Sequence, residues 1–259
     1  MDYQEFMREI GFSENQIAAI KRITVSDEEI KALPRAPFLE EDYAGGRPDW
    51  VLALFVHYLA AYSEEAYLKR GLTRTEWLST MQDLALWCNQ LLIERGEFGI
   101  RETHWLSHFV RTEIFRLGRL QFVPRISESE VVFNGQRFPV GTPYCEVHIP
   151  ADGKLTPAEA DLSFARAKAL FAPRFFSCES WLLSPKLHAF LDGGNILAFA
   201  LRFTIVETDE HDRSAERYIF GRIGAPDDYV ARNQFSARVK EGAREGNYVG
   251  SALGYLHVS

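Results

Sequence analysis

The chain has 259 residues, 46% of them hydrophobic and 25% charged, a balance that excludes a disordered polymer and allows one large domain or, as we read it, two modest ones with real cores. Its formal net charge of -7 argues against phosphate-backbone binding as the main task, because that work needs a positive surface, so no nucleic-acid partner is expected. Three cysteines, Cys88, Cys145 and Cys178, are odd in number, sit in apolar runs and lack metal-type spacing, so a reducing cytoplasm and no metal are expected.

The first ten residues carry Asp2, Glu5 and Glu9 where an export signal needs a basic flank and an apolar run, so no export is expected. From residue 3 to 120 the apolar positions recur at helical spacing. Phe6, Ile10, Ile17 and Ile20 are followed by Leu52, Phe55, Val56 and Leu59, then by Trp77, Met81, Leu84 and Leu91. Glycine and proline punctuate these runs, which predicts four to six helices and no strands. The greasiest window, from Trp50 to Tyr62, falls short of the roughly 20 residues a bilayer span needs and reads as a buried helix, with no membrane partner. The last helix is predicted over 102–117, stopped by Gly118.

Beyond that glycine the pattern changes. A short apolar segment precedes Val131 to Phe138, whose Asn134-Gly135 centre is a strong hairpin turn. A strand over 144–150 follows, and three neighbouring antiparallel strands are the simplest arrangement. Thr156-Pro-Ala-Glu159 is a capping box with proline in first position, predicting a helix from Pro157 to about Phe171. A strand at Cys178 then leads through Pro185 to a short helical turn. Strands over 196–207 and 217–223, a helix over 229–243 and a final strand over 252–258 complete the chain. The expected fold class is α+β, an all-helical domain over 1–120 followed by a mixed α/β sheet domain over 121–259.

Two of these strands carry residue types suited to catalysis. Alternation along Tyr144-Cys-Glu-Val-His-Ile-Pro150 puts Glu146 and His148 on one face and Cys145, Val147 and Ile149 on the other. In Phe176-Ser-Cys-Glu-Ser-Trp-Leu-Leu183 the same counting groups Cys178 with Ser180 and separates both from Ser177 and Glu179. Glu146 and His148 can take a proton from an attacking amine, or form a polar pair that only holds the sheet. Cys178 could be a nucleophile activated by His148, which would make a cysteine hydrolase, although most cysteines in apolar strands are small core residues. Trp181, Leu182 and Leu183 read as core rather than as a substrate wall.

The element order from residue 120 onward resembles the central and C-terminal part of GNAT-type acyltransferases. Phe115-Arg-Leu-Gly-Arg-Leu-Gln-Phe122, Glu146-Val-His-Ile-Pro150, Cys178-Glu-Ser-Trp-Leu-Leu183 and Asn195-Ile196 are similar to the hallmarks of bacterial acyltransferase domain-containing proteins, which join a helical N-terminal domain to a GNAT-like C-terminal one. The resemblance implies transfer of an acyl group from acetyl-CoA or another acyl-CoA, as co-substrate, to an amine of a small molecule or peptide. It implies Glu146, His148, Cys178 and Ser180 as catalytic residues. Coenzyme contacts are implied for Arg119, Gly153, Lys154 and Thr156. One departure stands out, because GNAT enzymes hold the pyrophosphate on an Arg/Gln-x-x-Gly-x-Gly/Ala loop, and the corresponding Pro150-Ala-Asp-Gly-Lys-Leu-Thr156 has a single glycine. That departure keeps open a second reading, a non-catalytic module whose GNAT-shaped cleft holds a ligand or a protein.

The remaining signals are weaker. His104 and His108 stand four apart but lack the glutamate of His-Glu-x-x-His and a third ligand. Arg111, Arg116, Arg119 and Arg125 form a basic stripe that can meet phosphates or pair internally. Asn195, after Asp192-Gly-Gly194, fits a turn into a strand. Glycines 242, 246, 250 and 254 recur every four residues without a Gly-Lys-Ser/Thr ending, and read as helix stop and turns.

Overall fold

Ser13, Ser26 and Thr73 each cap a helix by accepting the N–H three residues on, and in all three a Gln or Glu at that position returns a bond to the cap. A computed structural model of the chain describes residues 1–189, 191 and 193–258. The chain divides into two compact units, Met1–Arg116 and Leu117–Ser259.

The first unit is helical, with α1 (Tyr3–Glu9), α2 (Glu14–Ile20), α3 (Asp27–Ala32), α4 (Pro48–Lys69), α5 (Arg74–Met81), α6 (Asp83–Arg95) and α7 (Thr103–Val110). The greasy window lies in α4, whose 22 residues are apolar on most sides because the helix is surrounded by α1, α2, α3, α5 and α7. Trp77 is fully buried against it, its indole N–H donating to Ser63 at 2.9 Å. Among the described residues, no helix is long and apolar enough to cross a membrane. The expected helix over 102–117 is corrected, since α7 ends at Val110 and β1 (Phe115–Leu117) follows. Thr112 at φ 57° breaks the helical path, and the Glu113 N–H closes the turn on the His108 carbonyl at 2.8 Å. Phe115, Arg116 and Leu117 are all buried, and a short buried run reads alike as strand or helix.

The second unit contains β2 (Leu120–Ile126), β3 (Val131–Phe133), β4 (Gln136–Phe138), β5 (Pro143–His148), α8 (Pro157–Phe171), β6 (Phe175–Ser180), α9 (Pro185–Ala189), α10 (Asn195–Ala200), β7 (Thr204–Asp209), α11 (Ser214–Phe220), α12 (Gln234–Arg244) and β8 (Ser251–His257). The main sheet runs in the order β1-β2-β5-β6-β8-β7. All its mapped pairs are antiparallel except β5 with β6, which are parallel and joined through α8. Helix α8 starts and ends where the capping box predicts, with Thr156 accepting from the Glu159 N–H. The architecture is α+β, a helical unit followed by a mixed sheet unit.

The hairpin turn is formed as expected, with Asn134 at φ 49° and Gly135 at φ 73°. Its strands do not extend the main sheet, however, and this corrects the three-strand expectation. Strands β3 and β4 form a sheet of their own. Phe133 and Phe138 face Phe175, Tyr144 and Tyr255 across the main sheet's surface, so burial of four or five aromatic rings holds the hairpin there. The strand expected over 196–207 is borne out only from Thr204, where β7 begins, and its first part is corrected to α10. The segment expected as a strand over 217–223 is corrected too, being α11 with Gly221 at φ 81° as its stop. Helix α12 begins at Gln234 on an Asn233 cap, five residues later than expected. Tyr229 is kept outside it by bonds to Glu216 and the Gly224 backbone.

Candidate active site at a parting of parallel strands

Strands β5 and β6 pair at Tyr144 with Phe175, Cys145 with Phe176 and Glu146 with Ser177, and there the pairing stops. Both strands continue, β5 to His148 and β6 to Ser180. Each keeps its outer partner over that stretch, since His148 still pairs with Gln121 and Ser180 with Ala252. The two inner edges therefore part after Glu146 and Ser177, and the gap is bordered by Val147 and His148 on one side and Cys178, Glu179 and Ser180 on the other.

The register assigns these residues to faces. Glu146, His148, Ser177 and Glu179 share the face that carries the hairpin, while Cys145, Val147, Cys178 and Ser180 share the face under α8. Helix α8 packs there through Phe164, whose ring meets those of Phe122 and Phe176 edge to face at 5.9 and 4.8 Å between centroids. Glu146 and His148 are thus on one face, as the alternation predicts, and both are half-buried. The Arg125 Nε, on the neighbouring strand β2 and diagonal to Glu146 in register, donates to the Glu146 carboxylate at 3.1 Å. Cys178 is on the opposite face from His148. It is buried, and burial, with a smaller contribution from the Glu179 charge, pushes its thiol up to about 12. Cys145 is also pushed up to about 12 by burial and by Glu146. The arrangement does not assemble a cysteine with an activating histidine. The Ser180 hydroxyl accepts the Leu182 N–H at 3.2 Å, opening the 3-10 turn over Trp181–Leu183. In that turn Leu182 and Leu183 are buried and Trp181 stacks on Tyr218.

The four residues expected to meet a coenzyme are brought to one loop, which connects β5 to α8. Arg119 reaches the loop from the turn after β1. Its guanidinium donates to the carbonyls of Pro150, Gly153 and Lys154, each at 2.8 Å. Lys154 is exposed and Thr156 caps α8. On the other face of the sheet, Glu179, Glu207, Asp209, Ser251, Ala252 and Leu253 line an open cavity of about 220 Å³. Leu253 stands between Glu179 and Glu207 in register, so the carboxylates come from β6 and β7, on either side of β8.

The family model for the GNAT-like C-terminal domain matches residues 114–256. The chain belongs to that family. The GNAT-like domain thus holds the strand gap, the Arg119 loop and the acidic cavity. No curated protein matches the sequence. Among solved structures, an acyltransferase in complex with decanoyl-CoA aligns at 20% identity and a TM-score of 0.78, covering 99% of this chain and 87% of that one. An acyltransferase with decanoyl-CoA and teicoplanin aligns at 19% and 0.78, and an acyltransferase mutant with octanoyl-CoA at 18% and 0.79, with the same coverage. At such identities the likeness establishes the fold, here over both the helical unit and the GNAT-like domain.

The other sequence signals resolve into local structure. His108 Nδ1 lies 2.7 Å from the Glu113 carboxylate and His104 is exposed. Among the described residues no group of three or more His, Cys, Asp or Glu is placed to hold a metal. The arginine stripe is dispersed, with Arg111 on Glu40, Arg119 on its loop and Arg125 on Glu146. Asn195 opens a helix instead of a strand, and Asp192 before it lies outside the described residues. Gly246 adopts positive φ in the turn after α12 and Gly250 does so just before β8, as the helix-stop and turn reading expects, but Gly242 lies inside α12 and Gly254 inside β8. Glu207 and Asp209 were not singled out by sequence, though their two-residue spacing in a strand is the signal that would have found them.

Proposed function

We propose that the chain is an acyl-CoA-dependent N-acyltransferase that moves an acyl group from a coenzyme A thioester to an amine of a small molecule or peptide. The observation that carries this reading is the parting of β5 and β6 beyond Glu146 and Ser177. Such a gap leaves a strand edge to which an extended pantetheine arm can add as a strand would, and an N–H from that edge can polarise the thioester carbonyl. The two faces divide the reaction. The loop at 150–156 and Ser180 belong to the α8 side, where the coenzyme and its leaving sulfur would lie. Glu146, His148 and the acidic cavity belong to the other, where the amine would arrive, and negative charge there draws in a protonated amine.

In the reaction the amine nitrogen attacks the thioester carbonyl carbon, the C–N bond forms and the C–S bond breaks. The amine proton passes to Glu146 or His148, directly or through water, with Arg125 holding the carboxylate in place. The thiolate leaves and takes a proton, for which Ser180, on the α8 face beyond the last β5–β6 pair, is the assigned donor. Neighbouring folds crystallised with decanoyl-CoA and octanoyl-CoA, one of them also with teicoplanin, support the donor class and a peptide-like acceptor.

Titration calorimetry with acetyl-CoA and decanoyl-CoA tests the donor, and the expected result is binding of at least one. No heat with either favours the non-catalytic module instead. Once an acceptor amine is found by thiol release, replacing Glu146 and His148 together by alanine should lower turnover by about 10² or more. Unchanged turnover removes both from the mechanism.

A further inference from the structure

A glycine-rich phosphate loop works by letting the backbone turn its N–H groups toward the ligand. The loop at 150–156 has one glycine, yet the buried Arg119 achieves a related effect from behind. This side chain, with only 9% of the residue exposed, presents a rigid fork of donors that can engage several acceptors at once. Nε donates to the Lys154 carbonyl and Nη2 to those of Pro150 and Gly153, while Nη1 lies 3.6 Å from the Asp152 carboxylate. The Arg119 N–H donates to the Ser163 hydroxyl at 2.9 Å, which anchors the turn to α8. In a trans peptide the C=O and the N–H of the next residue point in opposite directions. Three carbonyls turned toward the guanidinium therefore turn the N–H groups of Ala151, Lys154 and Leu155 away from it. Among the described residues none of these three amides donates to a protein acceptor.

We propose that Arg119 is a positioning residue for the coenzyme's diphosphate, ordering the 150–155 loop through its carbonyls so that its amides face the ligand, in place of the missing glycines. This rests on the acyl-CoA reading above. The guanidinium does not touch the diphosphate in this arrangement. Its work is done through the loop, so charge alone does not replace it. A lysine at 119 keeps the charge but is a single point donor without the planar fork.

The experiment compares the natural protein with Arg119→Lys and Arg119→Met by titration calorimetry at 25 °C. The ligands are acetyl-CoA or decanoyl-CoA, whichever binds more tightly, and the pantetheine thioester of the same acyl group, which lacks the diphosphate and nucleotide. Thermal melting without ligand reports folding. Both variants are expected to lose about tenfold or more in affinity for the acyl-CoA, the equivalent of one or more hydrogen bonds to a charged group, while binding the pantetheine thioester within about twofold of the natural protein. Unchanged acyl-CoA affinity overturns the inference and leaves the acyl-CoA reading standing. A parallel loss for both ligands also overturns it, because that marks general disordering. If the natural protein binds no acyl-CoA, the functional reading itself fails. Should Arg119→Met fail to fold, Arg119→Lys, which retains charge and most of the volume, decides the matter.

Discussion

Cys178→Ala should make the protein less sensitive to alkali, and the size of the effect follows from where the thiol sits. In the folded state burial raises the thiol from 9.0 to about 12. Below pH 9 the folded and unfolded states both hold the proton and the group is neutral in its effect. Between pH 9 and 12 the unfolded chain ionises while the folded one does not, so stability falls by about 1.4 kcal/mol per pH unit from this thiol. Between neutral pH and 10.5 the loss is about 2 kcal/mol. Urea unfolding under reducing conditions at several pH values measures it, comparing the natural chain with Cys178→Ala. The alanine variant starts lower at pH 7, because a packed side chain has been cut back, but its curve should fall less steeply above pH 9. Tyrosines such as Tyr67, raised by burial, act on both chains alike and cancel in the comparison. Parallel curves would refute the reasoning. So would rapid alkylation of Cys178 by iodoacetamide at pH 7.5 in the folded protein, where a thiol near 12 holds a thiolate fraction of only about 10⁻⁴ to 10⁻⁵.

Three more outcomes are expected. Phe138→Ala should cost about 3 kcal/mol in urea unfolding, since its ring is packed against Phe133 and Phe175 at 5.1 and 5.0 Å and anchors the hairpin to the sheet. Thr156→Ala should cost about 1 kcal/mol by removing the α8 cap, and Thr156→Ser should restore most of it. Arg213→Met strands the Glu216 carboxylate, which is 2% exposed and held by Arg213 and Tyr229. A loss of about 3 kcal/mol at pH 7 in urea unfolding is the expected result, and an unchanged midpoint would show that Tyr229 suffices.

The resemblance in the sequence pointed to the right family because the motifs that carry it lie where the fold is most constrained. Glu146 to Pro150 forms a central strand and its exit, and Cys178 to Leu183 forms the facing strand and the turn that ends it. The misread segments share a physical cause. Residues 115–117, 196–200 and 217–220 are short, and runs of that length show too few turns for a helical period to be distinguished from alternation. Their state was decided by surroundings: a sheet edge for the first, and burial of one helical face, through Phe199 and Ala200 in α10 and Ala215 and Glu216 in α11, for the others. The hairpin shows the same limit at the next level. Asn134-Gly135 specifies a turn, but where the hairpin rests depends on Phe175, Tyr144 and Tyr255 from distant parts of the chain.

What the chain's own order of residues determined is local: the caps at Ser13, Ser26, Thr73 and Thr156, the I′ turn, the buried α4, and the sharing of one face by Glu146 and His148. Those features depend on neighbours within a few residues, where steric and hydrogen-bond rules act directly. Tertiary structure alone decided that β5 and β6 part after three pairs, that Cys178 faces away from His148, and that Arg119 grips a loop more than thirty residues away. Each of these depends on the register between separate strands or on a reach across the sheet, and pairing between distant segments leaves no trace in either segment read by itself.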